Sequence, residues 1–193
     1  VFESGDPMEG GTIFLTVAAL FLLSCHLSGT ERGTDGNWPQ WRGPMHTGAS
    51  PQGSAPVLFS ETNNLKWKTA IPGKGHATPI VWEDKIIVCT SVATDEKVDI
   101  AAGAATDGNA NPMGGVRAET IHEYKVIMVS RNNGKILWEK SVAKEMPQEG
   151  THELGSWASN SPATDGEHIF AYFGSRGIHC LDFEGHILWQ KDF

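Results

Sequence analysis

The feature that most constrains the fold is a seven-residue segment that occurs twice. Residues 134–140 read Gly-Lys-Ile-Leu-Trp-Glu-Lys, and residues 185–191 read Gly-His-Ile-Leu-Trp-Gln-Lys. A shorter Leu-Lys-Trp-Lys segment lies upstream at residues 65–68. Similarity at a spacing of about 20–50 residues indicates a repeat architecture. The alternative is two similar hairpin ends in an ordinary sheet, and the residues around each copy decide between the two interpretations.

Each copy of this motif closes a longer unit, and the two units follow the same plan. Short runs of β-branched and aromatic residues alternate with turns that contain Pro, Gly, Asn or Asp, a pattern typical of strands joined in hairpins. The predicted strands are residues 77–82, 86–90, 124–129 and 136–138 in the first unit, and 161–163, 169–172, 177–181 and 187–189 in the second. Four strands joined by tight turns are the plan of a β-propeller blade. We therefore predict an all-β chain with about two four-stranded antiparallel blades of an incomplete ring.

One stretch near residues 93–119 interrupts the first unit. Its central part is rich in Ala, Gly and Asn and has no amphipathic period. A long loop without secondary structure inside a compact domain is either functional or disordered. We expect a disordered insertion between the second and third strands of the first blade.

Charge and cysteine content exclude several classes of protein. The formal net charge is −8, which argues against a nucleic-acid partner because binding phosphates requires a basic face. The three cysteines, Cys25, Cys89 and Cys180, form neither a Cys-x-x-Cys pair nor a dense framework. They therefore indicate neither a thiolate zinc site nor a disulfide-stapled domain, and we expect buried free thiols at Cys89 and Cys180.

Residues 1–25 are similar to an export signal. The apolar run at residues 13–23 is shorter than the ~20 residues of a membrane-spanning helix and matches the core of a signal peptide. The Leu-Leu-Ser-Cys sequence that ends at Cys25 is similar to a bacterial lipobox, in which the cysteine is lipidated. A lipoprotein, plain secretion and an uncleaved anchor all stay open. We predict a flexible tether at residues 26–36 and a location in the periplasm or cell envelope, with membrane contact only through the N-terminal segment.

Four motifs together resemble a known family. They are Trp-Pro-Gln-Trp-Arg-Gly-Pro at residues 38–44, Pro-Gly-Lys-Gly-His-Ala-Thr-Pro-Ile-Val at 72–81, Asn-Gly-Lys-Ile-Leu-Trp at 133–138 and Tyr-Phe-Gly-Ser-Arg-Gly at 172–177. They resemble the pyrroloquinoline-quinone-like (PQQ-like) β-propeller repeat proteins, in particular secreted and lipid-anchored bacterial members, and the resemblance covers residues 37–193. It implies a closed ring of about seven or eight blades, of which this chain is an N-terminal fragment. It also implies that Trp67, Trp138 and Trp189 dock neighbouring blades against each other.

The resemblance allows two functions. The first is a non-catalytic envelope scaffold that presents loops to protein or saccharide partners. The second is the N-terminal part of a PQQ-dependent oxidoreductase, because quinoprotein dehydrogenases of this fold hold the quinone and Ca²⁺ at the centre of the ring. Those enzymes use an Asp base, Glu and Asn ligands and often a vicinal cysteine pair, and this sequence has no Cys-Cys. We therefore expect no cofactor and favour the scaffold over the enzyme, since a shared fold does not carry function with it.

Histidines are scattered through the two units. No His-Glu-x-x-His motif and no close pair at ligand spacing is present, so the sequence predicts no metal site. His122-Glu123 and His152-Glu153 could meet between blades, but we expect them to be unrelated. His168 and His186 are expected at exposed turns, and Arg176 is expected to be an ordinary turn residue.

Overall fold

Two four-stranded antiparallel sheets form the framework of the described chain. The computed structural model describes residues 36–50, 53–98 and 115–193, which all belong to one compact unit. The first sheet contains β1 (Ile80–Trp82), β2 (Lys85–Lys97), β3 (Thr120–Ser130) and β4 (Ile136–Glu145). The second contains β5 (Ala163–Thr164), β6 (Ile169–Tyr172), β7 (Ile178–Leu181) and β8 (Ile187–Lys191). In each sheet the strand order follows the chain, which confirms the predicted all-β fold with two four-stranded blades.

A shared hydrophobic core packs the two sheets together. Tyr124, Val126 and Met128 alternate along β3 with at most 1% of their surface exposed, as expected where side chains of one parity face a core. They join Phe173 and Leu181 of the second sheet in one cluster. The Tyr124 and Phe173 rings meet edge to face with their centres 5.5 Å apart. Burial of each large apolar side chain contributes about 1.5–3 kcal/mol, so this cluster is the main link between the sheets.

The repeated motif produces the same irregularity in both sheets. In the first sheet Val129 pairs with Ile136 and Met128 with Trp138, so Leu137 is the extra residue of a β-bulge. In the second sheet, Leu188 occupies the same place between Ile187 and Trp189. A bulge bends its strand and increases the local twist. The Gly-x-Ile-Leu-Trp motif therefore encodes a turn and then a bulge on the outermost strand of each sheet.

The structure corrects the boundaries of the predicted insertion. β2 continues to Lys97 and pairs with β3 as far as Thr120, and Val116 forms an isolated antiparallel bridge with Thr151. The Thr94 hydroxyl donates a 2.8 Å hydrogen bond to the Ile121 carbonyl, which supports the ladder where the sequence is polar. Strand pairing thus extends into the predicted insertion from both sides. The central residues of the insertion, 99–114, lie outside the described part of the chain.

An amino-terminal arm, residues 37–44, joins the edges of the two sheets. Trp38 and Val81 of β1 exchange backbone hydrogen bonds of 2.7 and 2.9 Å, and the Thr164 N–H of β5 donates to the Pro39 carbonyl at 2.9 Å. Gly43, at φ +71°, lies under the Trp38 ring, where a Cβ would come within 2.7 Å of the indole. The arm therefore covers the first strand of each sheet. The predicted signal segment, Cys25 and the tether up to residue 35 lie outside the described residues.

Candidate functional site

Trp138 of β4 reaches across to the second sheet. Its Nε1 donates a 3.0 Å hydrogen bond to the Phe183 carbonyl. A Cβ on Gly185, at φ +87°, would lie 3.1 Å from the Trp138 ring. The indole thus lies on the turn between β7 and β8, where a Cβ would be a tight contact and the positive φ favours glycine.

Trp67 makes the same kind of contact with the first sheet. Its Nε1 donates to the Arg131 carbonyl at 2.9 Å, and a Cβ on Gly134 would lie 2.6 Å from its ring. Trp189, by contrast, is 47% exposed and contacts Phe170 of its own sheet, with the ring centres 6.1 Å apart. Two of the three predicted docking tryptophans therefore lie on the turn of a following sheet. Their contribution to stability stays a prediction.

A further tryptophan contact was not predicted from the sequence. Trp82, at the end of β1, lies against Gly166 in the turn between β5 and β6, where a Cβ would come within 2.3 Å of the ring. Asp165 occupies the position of Trp82 in the second unit. The repeat therefore contains no signal for this contact, and only the packing of the two sheets shows it.

A cavity of about 480 Å³ opens at the end of the first sheet where β2 meets β3. This loop-end cavity is bounded by the loop of residues 151–157 and by the 73–74 segment, which pairs with Ser91. Its apolar walls include Val92, Ala93, Val116 and Trp157, and its polar groups include Lys74, His122, His152 and Glu153. Concave, largely apolar surfaces with a few polar groups are the usual form of a binding site.

His122 forms the buried end of this cavity. It is 7% exposed, its Nδ1 lies 2.9 Å from the Ser91 hydroxyl, and its ring meets Trp157 edge to face at 4.6 Å. Burial lowers the pKa of His122, because a buried imidazolium loses hydration. The His122 ring is therefore neutral at physiological pH. The neighbouring Trp157 is held in place by a 2.8 Å hydrogen bond from its Nε1 to the Glu149 carbonyl.

The expectation that the two His-Glu pairs are unrelated is wrong for the histidines. His122 and His152 line the same cavity, together with Glu153. Glu123 instead pairs with Lys125, with 3.2 Å between carboxylate oxygen and ammonium nitrogen. Neighbouring residues of a strand point to opposite faces of the sheet, which explains why only His122 of the first pair reaches the cavity.

His168 and His186 lie at turns as predicted, and each pairs with an aspartate. His168 Nδ1 is 3.0 Å from Asp165 and His186 Nδ1 is 2.8 Å from Asp182. Partial burial opposes ionisation of Asp165, but hydrogen bonds from the His168 ring and from the Glu167 and His168 N–H groups outweigh it. The pKa of Asp165 is therefore lowered from 3.8 to about 2. These aspartates organise the turns.

Acid should weaken the Asp165 turn. Because the pKa of Asp165 is lower in the folded protein (about 2) than its ordinary value of 3.8, its ionised form stabilises the fold above about pH 4 and this contribution is lost as the pH falls toward about 2. Urea unfolding of wild type and Asp165→Asn should show a difference in unfolding free energy that shrinks over this range. A difference that stays constant with pH would contradict the assignment.

No group of three or more His, Cys, Asp or Glu side chains within residues 36–50, 53–98 and 115–193 is placed to hold a metal ion. Cys89 and Cys180 are free and buried, and burial raises the pKa of Cys89 to about 12. In the same part of the chain no helix is long and apolar enough to cross a membrane.

The fold and its contacts define a class of protein: successive four-stranded antiparallel sheets that pack through tryptophans, as β-propeller blades do. Residues 122–193 match the family model described as outer membrane protein assembly factor BamB, a model of PQQ-like repeats. The match runs from β3 to the end of β8 and confirms the PQQ-like repeat resemblance over this part of the chain. The search of curated proteins found no match.

Proposed function

We propose that this chain is part of a non-catalytic β-propeller scaffold of the cell envelope that binds a protein partner through its loops. The observation that carries the proposal is the match of residues 122–193 to the assembly-factor model. The partner is accordingly a protein component of outer membrane protein assembly. Export and a lipid anchor at Cys25 belong to the same proposal, and the intact mass of the protein from its own envelope tests them.

The loop-end cavity is the surface that best suits such a partner. One apolar side chain of its lining, Val116, has 48% of its surface exposed. The cores of protein interfaces are depleted in charge and enriched in aromatic residues, and Trp157 supplies an aromatic wall. The neutral His122 adds a hydrogen-bonding group without a buried charge.

Introducing a negatively charged side chain into this surface tests whether the partner docks there. Val116→Asp, in the full-length protein in its own cells, should abolish site-specific photocrosslinks to the assembly partner and lower the amount of β-barrel protein in the outer membrane. Val57→Asp is the matched control, because Val57 is 98% exposed and lies outside the cavity. Crosslinks that survive Val116→Asp, or that Val57→Asp also removes, would refute the loop-end cavity as the docking surface.

A quinoprotein oxidoreductase is the competing function. The PQQ-like repeat is shared by enzymes and scaffolds, so the fold does not separate them. Adding quinone and Ca²⁺ to the full-length protein separates them directly: a bound redox chromophore supports the enzyme, and no binding supports the scaffold.

A further inference from the structure

The outer edge of β2, opposite β3, is only partly covered. β1 pairs with residues 85–87 of β2. Further along the same edge, Lys74 exchanges two 3.0 Å backbone hydrogen bonds with Ser91. Beyond Ser91, no other strand among the described residues pairs with this edge, although β2 continues to Lys97. The last part of the edge is therefore open where it borders the loop-end cavity.

Ala93 carries the hydrogen-bonding groups of this open edge. In an antiparallel ladder, the N–H and C=O groups of successive residues point alternately to the two neighbouring strands. Since Ser91 bonds to Lys74 on the outer side, Ala93, two residues further on, directs its N–H and C=O to the same side. Ala93 is exposed, and within the described residues no backbone group bonds to it on that side.

The segment before Lys74 turns away from the open edge. The Pro72 carbonyl accepts a 2.6 Å hydrogen bond from the Thr90 hydroxyl, and a proline has no N–H to offer to a strand. Gly73 has φ +76°, and a Cβ there would lie 2.4 Å from the Ser91 carbonyl oxygen. The pairing of this segment with β2 therefore ends at Lys74 and leaves Ala93 uncovered.

The open edge and the cavity share one face of the first sheet. Ala93 and His122 are directly opposite in the β2–β3 ladder, so their side chains lie on the same face, and both line the loop-end cavity. A residue paired with Ala93 on the outer side directs its side chain to that face as well. Val116 and Trp157 are among the cavity walls, which favours an apolar side chain at this position.

We propose that the protein partner adds an extended strand to the open edge of β2, exchanging backbone hydrogen bonds with Ala93 and directing an apolar side chain into the loop-end cavity. In strand addition, main-chain bonds supply affinity and side-chain pockets supply specificity. The inference rests on the proposed function, because it specifies how the partner binds at the same site. A second copy of this chain is the competing occupant, since an open edge can also pair with its own kind.

A photoreactive amino acid in place of the exposed Lys74 reports on this edge in the full-length protein in its own cells. Ala93→Pro removes the outward N–H and keeps the β2–β3 ladder, because this N–H does not face β3. The yield of crosslinks to the partner should fall at least fivefold, the effect of one hydrogen bond. Ala93→Ser, which keeps the N–H and nearly the same size, is the matched control and should crosslink like wild type. Equal yields from the two variants, or a crosslink to a second copy of this chain, would overturn the proposal.

Hydrogen exchange gives a measurement that does not depend on a variant. The Ala93 amide should exchange at least tenfold more slowly in the photocrosslinked complex than in the protein alone, whereas the Val92 amide, which faces β3, should be protected in both. Equal exchange at Ala93 in the two samples overturns strand addition. If Val116→Asp abolishes the crosslinks while Ala93 shows no such effects, the cavity is the docking surface and only the strand addition is wrong.

Discussion

Replacing Trp138 with alanine is expected to lower the free energy of unfolding by about 3 kcal/mol. Truncation of a buried Trp typically costs about 3–5 kcal/mol, and the lower end applies because Trp138 is only partly buried. The change removes the ring from the Gly185 turn and the 3.0 Å bond to the Phe183 carbonyl. Since Trp138 belongs to the contact between the two sheets, the loss weakens their packing directly.

Within this 193-residue chain, Trp189→Ala is the matched control for this prediction. Trp189 occupies the same place in the second copy of the motif but is 47% exposed and contacts Phe170 of its own sheet. Its removal should cost less than about 1 kcal/mol, as most exposed substitutions do. Urea unfolding followed by circular dichroism measures both. A loss below about 1 kcal/mol for Trp138→Ala would refute inter-sheet docking by this residue.

Replacing Gly166 with alanine is expected to cost about 3 kcal/mol. Gly166 has φ +93°, and its Cβ would lie 2.3 Å from the Trp82 ring. A strained backbone position costs about 1–3 kcal/mol, and forcing a packed side chain aside costs a similar amount. The variant therefore disturbs both the β5–β6 turn and the contact of that turn with the first sheet.

Two comparisons separate strain from collision. Gly174 also has a positive φ, +61°, but its Cβ would meet nothing nearer than 3.4 Å, so Gly174→Ala should show the strain alone, about 1 kcal/mol. In a Trp82→Ala background the ring is absent, so Gly166→Ala should again cost only the free energy of the strained backbone. If Gly166→Ala costs the same with and without the Trp82 ring, that ring does not lie on the turn in solution.

Three of the four strands of the second sheet could be predicted closely. The first was expected at residues 161–163 and is β5 at Ala163–Thr164. Residues 169–172 were expected as a strand and are β6, and β7 and β8 begin within one residue of the expected positions. These strands were predicted from the alternation of apolar and polar residues and from the turn residues between them, which are local properties of the chain. The extension of β2 to Lys97 was missed because its last residues, Thr-Asp-Glu-Lys, are polar and gain their stability from pairing with β3.

The loop-end cavity could not be predicted in the same way. His122 comes from β3, whereas His152 and Trp157 come from the 151–157 loop, and they line one cavity only because this loop crosses the end of the first sheet. Each histidine on its own has no ligand motif or spacing.

The amino-acid sequence by itself determined the repeated four-strand unit and its turn glycines. Both the two-residue alternation of apolar side chains and the turns with positive φ depend on residues that are adjacent in the chain. It also determined which tryptophans close the two copies of the motif. Only the tertiary structure decided that Trp138 and Trp82 lie on turns of the other sheet. The reason is physical: packing joins residues that are distant in the chain.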